Sequence, residues 1–172
     1  MIVSKAVWVH FIYELISEYF DGKIDKGGKS YIKHLHEVAN KAHDLAQAAD
    51  YSIDDCWKVY QVGLLHDIFE DTPCTEQELL DIGISPQVIE AIKSVTRQPD
   101  EEYYFDFIKK VSENKYAKIV KIADLEHNMD ITRLKKFGDY EMKRLKKYWY
   151  SWKYLKGELT EEKVKTEIGD IK

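Results

Sequence analysis

The sequence predicts an all-α protein, and three observations support this fold class. Apolar residues recur at helical spacing along most of the chain. No stretch alternates between apolar and polar residues for long enough to indicate a sheet. Serine, threonine and proline residues stand where helix caps and first turns prefer them. We therefore expect a compact bundle of helices.

In the first half of the chain, capping residues and glycines predict where the helices begin and end. The first helix covers about 4–20, and its expected apolar face consists of Val7, Phe11, Leu15 and Tyr19. The segment DGKIDKGGKS at 21–30 contains three glycines and is predicted to be a loop. Ser30 then caps a second helix that reaches about 49. Either Asp50 or Ser52 caps a third helix, which is predicted to run without a break over 53–69.

The second half continues in the same way. Ser85 and Pro86 fit the N-cap and N1 positions of a helix that reaches about 96. Thr160 opens a last helix. The other predicted helices cover 75–80, 100–112, 115–134 and 139–155. We expect a single domain over 1–172, with a core at about 5–155 and a charged C-terminal extension at 156–172.

Composition narrows the classes of function. The chain has 172 residues and a net charge of −5, which gives no electrostatic argument for a nucleic-acid partner. We expect no membrane partner, since no apolar run approaches the roughly 18 residues that a spanning helix needs. Cys56 and Cys74 form no CxxC motif, and the N-terminus lacks a signal-peptide cleavage site. These features predict a cytoplasmic protein in a reducing compartment.

Three polar segments interrupt the apolar helical pattern. They are YIKHLHEVA at 31–39, LLHDIFEDT at 64–72 and KIVKIADLEHNMD at 118–130. Imidazole and carboxylate groups bind borderline-to-hard divalent metals, and a metal would explain carboxylates beside buried leucines. Two nitrogens and two oxygens would come from His34, His66, Asp67 and Asp124. Four protein ligands leave coordination positions open, as a catalytic site requires.

The second and third segments carry further polar groups at helical spacing. On a continuous helix, Asp67, Glu70 and Asp71 would share one face. A carboxylate beside a metal can orient a water or protonate a leaving group. Asn128 follows Asp124 by four residues, which would place a neutral amide next to the metal ligand.

The three segments together resemble the motifs of one protein family. YIKHL, LLHDIFEDT and KIADLEHN are similar to the YIxHP, LLHDxxEDT and KxADxxxN segments of HD-domain metal-dependent phosphohydrolases. Within that family, the segments most resemble the alarmone-hydrolase half of RelA/SpoT proteins and their small single-domain relatives. The resemblance covers about 6–155.

The resemblance implies an HD-domain bundle around a single metal site. The metal would be held by the four ligands named above and is usually manganese; Fe²⁺, Zn²⁺, Co²⁺ or Ni²⁺ could replace it in a purified sample. Glu70 and Asp71 match the acid pair that drives hydrolysis. The residues matching substrate-binding positions are Lys26, Asn128, Arg144 and Tyr148. The implied reaction removes the 3′-pyrophosphate from guanosine tetra- or pentaphosphate (ppGpp or pppGpp).

The loop before the first motif departs from the family pattern. The family has RKxGxPYI where this chain has DKGGKSYI, so Asp25 replaces an arginine and Ser30 a proline. Leu35 replaces the proline after the metal histidine. A carboxylate at Asp25 would repel phosphate, so we expect weaker alarmone binding or a different base preference, and Asp25→Arg should lower KM. His127, beside Asn128, is expected to have a surface role.

Two other functions stay open. One is an HD phosphohydrolase that acts on another nucleotide, such as the 2′-phosphate of NADPH or a nucleoside phosphate. The other is a non-catalytic nucleotide-binding or antitoxin-like module, in which a metal serves stability. The pair Glu70 and Asp71 favours catalysis, because a binding module needs no acids beyond the metal ligands. Oligomeric state is not predicted.

Overall fold

The computed structural model describes residues 5–25, 27–98 and 103–169, and it confirms the all-α fold class. The helices, in chain order, are α1 (Lys5–Phe20), α2 (Tyr31–Ala48), α3 (Ile53–Leu65), α4 (Ile68–Asp71), α5 (Glu76–Asp81), α6 (Pro86–Val95), α7 (Tyr104–Glu113), α8 (Lys115–Asn128), α9 (Asp139–Leu155) and α10 (Glu161–Ile168). A 3₁₀ turn, η1 (Ile131–Arg133), lies between α8 and α9. Within the described ranges, extended pairing is limited to one bridge between Ile24 and Ser30.

Helices α2, α3 and α8 form the centre of the bundle. The most extensive packing is between α2 and α3, and α8 lies against both. Gly63 on α3 allows the closest approach, since a Cβ there would stand 2.6 Å from the Cα of Ala39 on α2. His34 precedes Ala39 on α2, and His66 follows Gly63 just beyond α3. Because a short connection makes the two helices antiparallel, both histidines lie at the same end of the pair.

The prediction of one continuous helix over 53–69 is wrong, because the segment forms two helices. Helix α3 ends at Leu65, and α4 begins at Ile68. Between them, Asp67 has φ −100° and ψ 3°, which lies outside helical geometry. Neighbouring side chains on an unbroken helix would diverge by roughly 100°. The break therefore lets His66 and Asp67 face the same site.

Other predicted boundaries and faces also need correction. Helix α8 ends at Asn128 rather than near 134, and η1 follows it. On α1, Leu15 is buried as predicted, but Ile12 and Ile16 are buried as well and Phe11 is 40% exposed, so the prediction for Phe11 is wrong. The side chain of Val7 lies outside the described residues. Helix α7 begins at Tyr104. The predicted start near 100 lies outside the described residues.

The predicted caps are mostly present. The hydroxyls of Ser52 and Ser85 accept hydrogen bonds from the first turns of α3 and α6, with Pro86 at N1. Ser30 stands at the N-cap of α2, but its side chain makes no capping hydrogen bond. The segment after residue 156 includes α10, whose Val164 and Ile168 are buried where it packs against α7 and α9.

Of the helices in the described part of the chain, none is both long and apolar enough to cross a membrane.

Candidate metal centre and active site

A cavity opens where α2, the α3–α4 turn and α8 meet. Charged and polar groups dominate its wall. The lining residues are Asp25, Gly27, Tyr31, His34, Asp67, Glu70, Lys121, Asp124, Asn128, Asp130, Arg133, Leu134, Arg144 and Tyr148.

The four predicted metal ligands meet beside this cavity. His34 Nε2 lies 3.6 Å from Asp67 Oδ2 and 3.6 Å from Asp124 Oδ1. His66 Nε2 lies 2.9 Å from Asp67 Oδ2 and 3.8 Å from Asp124 Oδ1. One atom each from His34, His66 and Asp67 fall within 4.8 Å of one another, and Asp124 borders this cluster. The structure thus brings together two imidazole nitrogens and two carboxylates from three parts of the chain.

The hydrogen bonding of His66 fits a metal ligand. Its Nδ1 lies 2.8 Å from the carbonyl oxygen of Gly63, so Nδ1 carries the proton that it donates. The remaining nitrogen, Nε2, is buried and has no hydrogen-bond partner among the described residues, although Asp67 is close. A buried imidazole nitrogen that faces two carboxylates suits a divalent cation, which would take the place of a proton there.

The charges of the cluster are strongly coupled in the metal-free protein. Burial disfavours the imidazolium of His66, but the carboxylates of Asp67 and Asp124 outweigh it and raise its pKa to about 9. Burial disfavours the Asp67 carboxylate in turn, yet the neighbouring histidines hold its pKa well below the usual range. The carboxylates therefore stay ionised and need a positive partner, which is a proton or a metal ion.

Asp124 is held by two neighbours on its own helix. Lys121 Nζ donates to Asp124 Oδ2 at 2.7 Å, and Asn128 Nδ2 donates to Oδ1 at 2.5 Å. The Lys121 ammonium is mostly buried, and despite that burial the carboxylate of Asp124 raises its pKa, so it remains a cation. Lys121 stands in the third sequence motif, but its spacing did not indicate a role in the cavity.

Asp67 has a further partner on α2. The Tyr31 hydroxyl donates to Asp67 Oδ2 at 2.7 Å, and the Tyr31 ring stacks on Phe20 with centroids 5.2 Å apart. Burial and the charge of Asp67 raise the pKa of Tyr31, so its hydroxyl remains a donor. Tyr31 belongs to the quoted YIKHL motif, and sequence reasoning did not single it out.

The two predicted catalytic acids occupy different positions. Glu70 lines the cavity, and Glu70 Oε2 accepts a hydrogen bond from the Arg97 backbone N–H at 3.3 Å. Partial desolvation raises the pKa of Glu70 with help from Asp67, against the lowering effect of that N–H. Asp71 is exposed and is not among the described residues that line the cavity.

Three of the four predicted substrate-binding residues line the cavity. Arg144 and Tyr148 on α9 both line the cavity, and the Arg144 guanidinium carbon is 5.8 Å from the centre of the Tyr148 ring. Arg144 is only 9% exposed, and its Nε lacks a hydrogen-bond partner within the described ranges. Asn128 also lines the cavity. Lys26 lies outside the described residues.

The loop residue Asp25 is paired with Arg133. Arg133 Nη2 donates to Asp25 Oδ2 at 2.5 Å, and the Lys29 backbone N–H donates to Asp25 Oδ1 at 2.9 Å. Burial opposes ionisation of Asp25, but these hydrogen bonds and the guanidinium lower its pKa. The carboxylate is therefore already neutralised by a protein cation. That cation reaches this position from η1 rather than from the loop itself.

His127 does not have the expected surface role. Its side chain is 11% exposed, and its Nδ1 lies 2.8 Å from His34 Nδ1. Its Nε2 lies 2.8 Å from Glu37 Oε2, and Arg133 Nη1 approaches its Nδ1 at 2.6 Å. No sequence signal identified Arg133, since η1 follows the third motif and falls where a continuing helix was predicted.

Comparison with known proteins places this geometry in a recognised fold. Over 98% of this chain and 99% of the other, the structure matches a metazoan ortholog of SpoT that hydrolyses ppGpp and plays a role in starvation responses, with a TM-score of 0.68 and 18% sequence identity. The chain has the fold of that SpoT ortholog. The fold that the three-motif resemblance implies is thereby confirmed.

Sequence comparison points to the same group of proteins. The chain is 28% identical over 141 residues to a GTP pyrophosphokinase from Myxococcus xanthus, a match that includes 74% of this chain. It spans only 17% of the length of that relative. No family model matches the chain.

Proposed function

We propose that this protein is a metal-dependent phosphohydrolase that removes the 3′-pyrophosphate from ppGpp or pppGpp. The observation that carries the proposal is the convergence of His34, His66, Asp67 and Asp124 beside a polar cavity that Lys121 and Arg144 also line. The fold shared with a ppGpp-hydrolysing SpoT ortholog supports the same reaction class.

The ligand set fits a divalent metal, and we propose Mn²⁺. Imidazole and carboxylate ligands suit Mn²⁺ and the neighbouring first-row metals. Among the described residues, no cysteine belongs to the cluster. When bound, such an ion polarises phosphoryl oxygens and makes a coordinated water more acidic. His34 and His66 would present Nε2 to it, with Asp67 and Asp124 each providing an oxygen.

Glu70 is the residue best placed to move a proton. Its carboxyl lines the cavity, and its raised pKa brings it nearer to neutral pH than an ordinary glutamate. We propose that Glu70 accepts the proton of the attacking water and returns it to the ribose 3′-oxygen as pyrophosphate leaves. Asp71 would act from the edge of the site, by orienting groups rather than by contact with phosphorus.

Two cations that line the cavity would offset the charge of the substrate. They are Lys121, which lies beside Asp124, and Arg144. Guanidinium groups bind phosphate oxygens through two parallel hydrogen bonds, and the Arg144 Nε is a buried donor with no acceptor among the described residues. Asn128 and Tyr148 would orient the sugar, and the products would be a guanosine 5′-phosphate and pyrophosphate.

The test is a panel of nucleotides incubated with Mn²⁺, with free phosphate and pyrophosphate measured separately. We expect pyrophosphate release from ppGpp and pppGpp, and little phosphate from NADPH or nucleoside monophosphates. Asp124→Asn should abolish the signal. Asp44→Asn, which changes a carboxylate that is 79% exposed, serves as the matched control and should retain it.

Two results would contradict the proposal in different ways. Release of phosphate from NADPH or a nucleoside phosphate would keep the phosphohydrolase class and change the substrate. The second result is tight ppGpp binding by calorimetry without any product after prolonged incubation with Mn²⁺, Fe²⁺, Zn²⁺, Co²⁺ or Ni²⁺. It would indicate a nucleotide-binding module.

A further inference from the structure

The back of the metal ligand His34 is connected to the cavity wall by a chain of polar contacts. His34 Nδ1 faces His127 Nδ1 at 2.8 Å, on the side of the ring away from Asp67 and Asp124. The other nitrogen of His127 contacts Glu37. Arg133 contacts both the Nδ1 and the backbone oxygen of His127, through Nη1 at 2.6 and 2.9 Å.

The chemistry of arginine decides where the protons lie in this chain. A guanidinium only donates hydrogen bonds, so His127 Nδ1 must be the acceptor from Arg133 Nη1. His127 therefore carries its proton on Nε2, where it can donate to the Glu37 carboxylate. His34 Nδ1 lies 2.8 Å from the same nitrogen, a distance at which two unprotonated nitrogens would repel each other. Neutral His34 therefore carries its proton on Nδ1 and shares the single lone pair of His127 Nδ1 with Arg133. The lone pair of neutral His34 then lies on Nε2, directed at the two carboxylates.

We infer that Arg133 sets the metal-binding tautomer of His34 by acting through His127, and that Asp25 holds Arg133 in place for this role. Arg133 and His127 are positioning residues here, because neither needs to touch the metal. Asp25 fixes the guanidinium from the loop, and both side chains of the pair are largely buried. The loop at 21–30 is thereby connected to the metal site.

This inference rests on the metal site of the proposed function, but its first test needs no bound metal. In metal-free protein labelled with ¹⁵N-histidine, two-bond ¹H–¹⁵N spectra at mildly alkaline pH distinguish the two neutral tautomers. The His34 signal is assigned by its loss in His34→Gln. We expect His34 to carry its proton on Nδ1 in the wild type, and to become a mixture of tautomers in Arg133→Met.

A conservative variant shows whether the donor matters rather than the bulk. The ammonium of Arg133→Lys can donate but cannot accept, so it should retain the Nδ1-protonated form of His34 if it reaches His127. Thermal unfolding followed by circular dichroism shows which variants are folded. A His34 ring that stays entirely Nδ1-protonated in folded Arg133→Met would overturn the inference.

The second test measures the affinity for Mn²⁺ by titration with the metal alone. Removing a nearby positive charge should strengthen the binding of a cation, so electrostatics by itself predicts a higher Mn²⁺ affinity for Arg133→Met. The tautomer role predicts a lower affinity instead, by roughly 10-fold, as for other partners of metal-bound histidines. Arg144→Met is the matched control, because it removes a cavity arginine that stands against Tyr148 rather than against His127. We expect its affinity to be unchanged or higher.

The outcomes separate this inference from the proposed function. If the wild type does not bind Mn²⁺ or another divalent ion, the proposed function fails, while the tautomer spectra still decide the role of Arg133. If the wild type binds Mn²⁺ and both arginine variants bind it equally well or better, the positioning role fails and the metal site stands.

Discussion

The guanidinium of Arg133 donates to the carboxylate of Asp25 across 108 positions of sequence, at 2.5 Å between Nη2 and Oδ2. The family motif that the following segment resembles has an arginine at the position of Asp25. In this chain the carboxylate stands in the loop and the cation comes from η1. The pair therefore places a guanidinium at the cavity wall although the loop residue is a carboxylate.

This ion pair reverses the effect expected for Asp25→Arg from sequence alone. Two guanidinium groups would now face each other in a largely buried position, and Arg133 would lose its partner. We expect a lower melting temperature and a higher KM for ppGpp. Asp25→Asn, which can still accept a hydrogen bond, should have a smaller effect. Steady-state kinetics and thermal melts of both variants check this, and a lower KM for Asp25→Arg would restore the sequence-based expectation.

Loss of a metal ligand should remove the response of stability to metal. Mn²⁺ at about 100 times its dissociation constant should stabilise the wild type by about 2.7 kcal/mol, because it binds only the folded state. We expect no such increase for His66→Ala or Asp124→Asn, and little bound metal by elemental analysis. Asp44→Asn should behave like the wild type. Full metal occupancy in Asp124→Asn would exclude Asp124 as a ligand.

Glu70 and Asp71 should differ in their effect on turnover. Glu70→Gln removes a carboxyl that lines the cavity, so kcat should fall by roughly 10²-fold or more while metal content stays unchanged. Asp71→Asn changes an exposed residue outside the cavity lining and should reduce kcat less. Measurement of kcat and KM for ppGpp tests both. Unchanged turnover in both variants would favour a binding module.

Gly63→Ala should destabilise the bundle at the α2–α3 crossing. The new methyl group would stand 2.6 Å from the Cα of Ala39, so the two helices would have to separate. Overpacking of this kind costs about 1–3 kcal/mol of unfolding free energy. Gly138→Ala is the control, because its nearest neighbour would lie 3.7 Å away. Chemical denaturation measures both, and equal stabilities would show that the crossing relaxes without cost.

Asp55 should contribute to the acid sensitivity of the protein. Hydrogen bonds from Tyr116 and Lys115, at the start of α8, lower the pKa of this α3 carboxylate to about 2. Its pKa in the unfolded chain is about 3.9. The stabilisation is therefore present above about pH 4 and is lost as the pH falls toward 2. Asp55→Asn should flatten this part of the stability profile, measured by thermal melts from pH 2 to 6.

The neighbouring Asp54 provides the control for that profile. Its side chain is 74% exposed and, among the described residues, pairs only with Lys58 in the same helix, at 2.8 Å. We expect Asp54→Asn to keep the acid sensitivity of the wild type. An identical profile for wild type and Asp55→Asn would place the acid-sensitive contact elsewhere.

The sequence by itself determined the all-α class, most helix starts and the residues that meet at the cavity. Helical periodicity and caps act over a few residues, so they can be identified without knowledge of the fold. Three polar segments in apolar helices identified His34, His66, Asp67 and Asp124, because such groups are costly inside a protein unless they share a partner.

Only the tertiary structure decided the break after Leu65, the burial of His127 and the pairing of Asp25 with Arg133. In the sequence, 53–69 has the pattern of one helix, and the preference for a turn at His66 and Asp67 arises from packing around the cavity. Asp25 and Arg133 are far apart in sequence and carry no local signal for each other. Their contact exists because α2 and α8 pack side by side, which brings the segments at their ends to the same wall of the cavity.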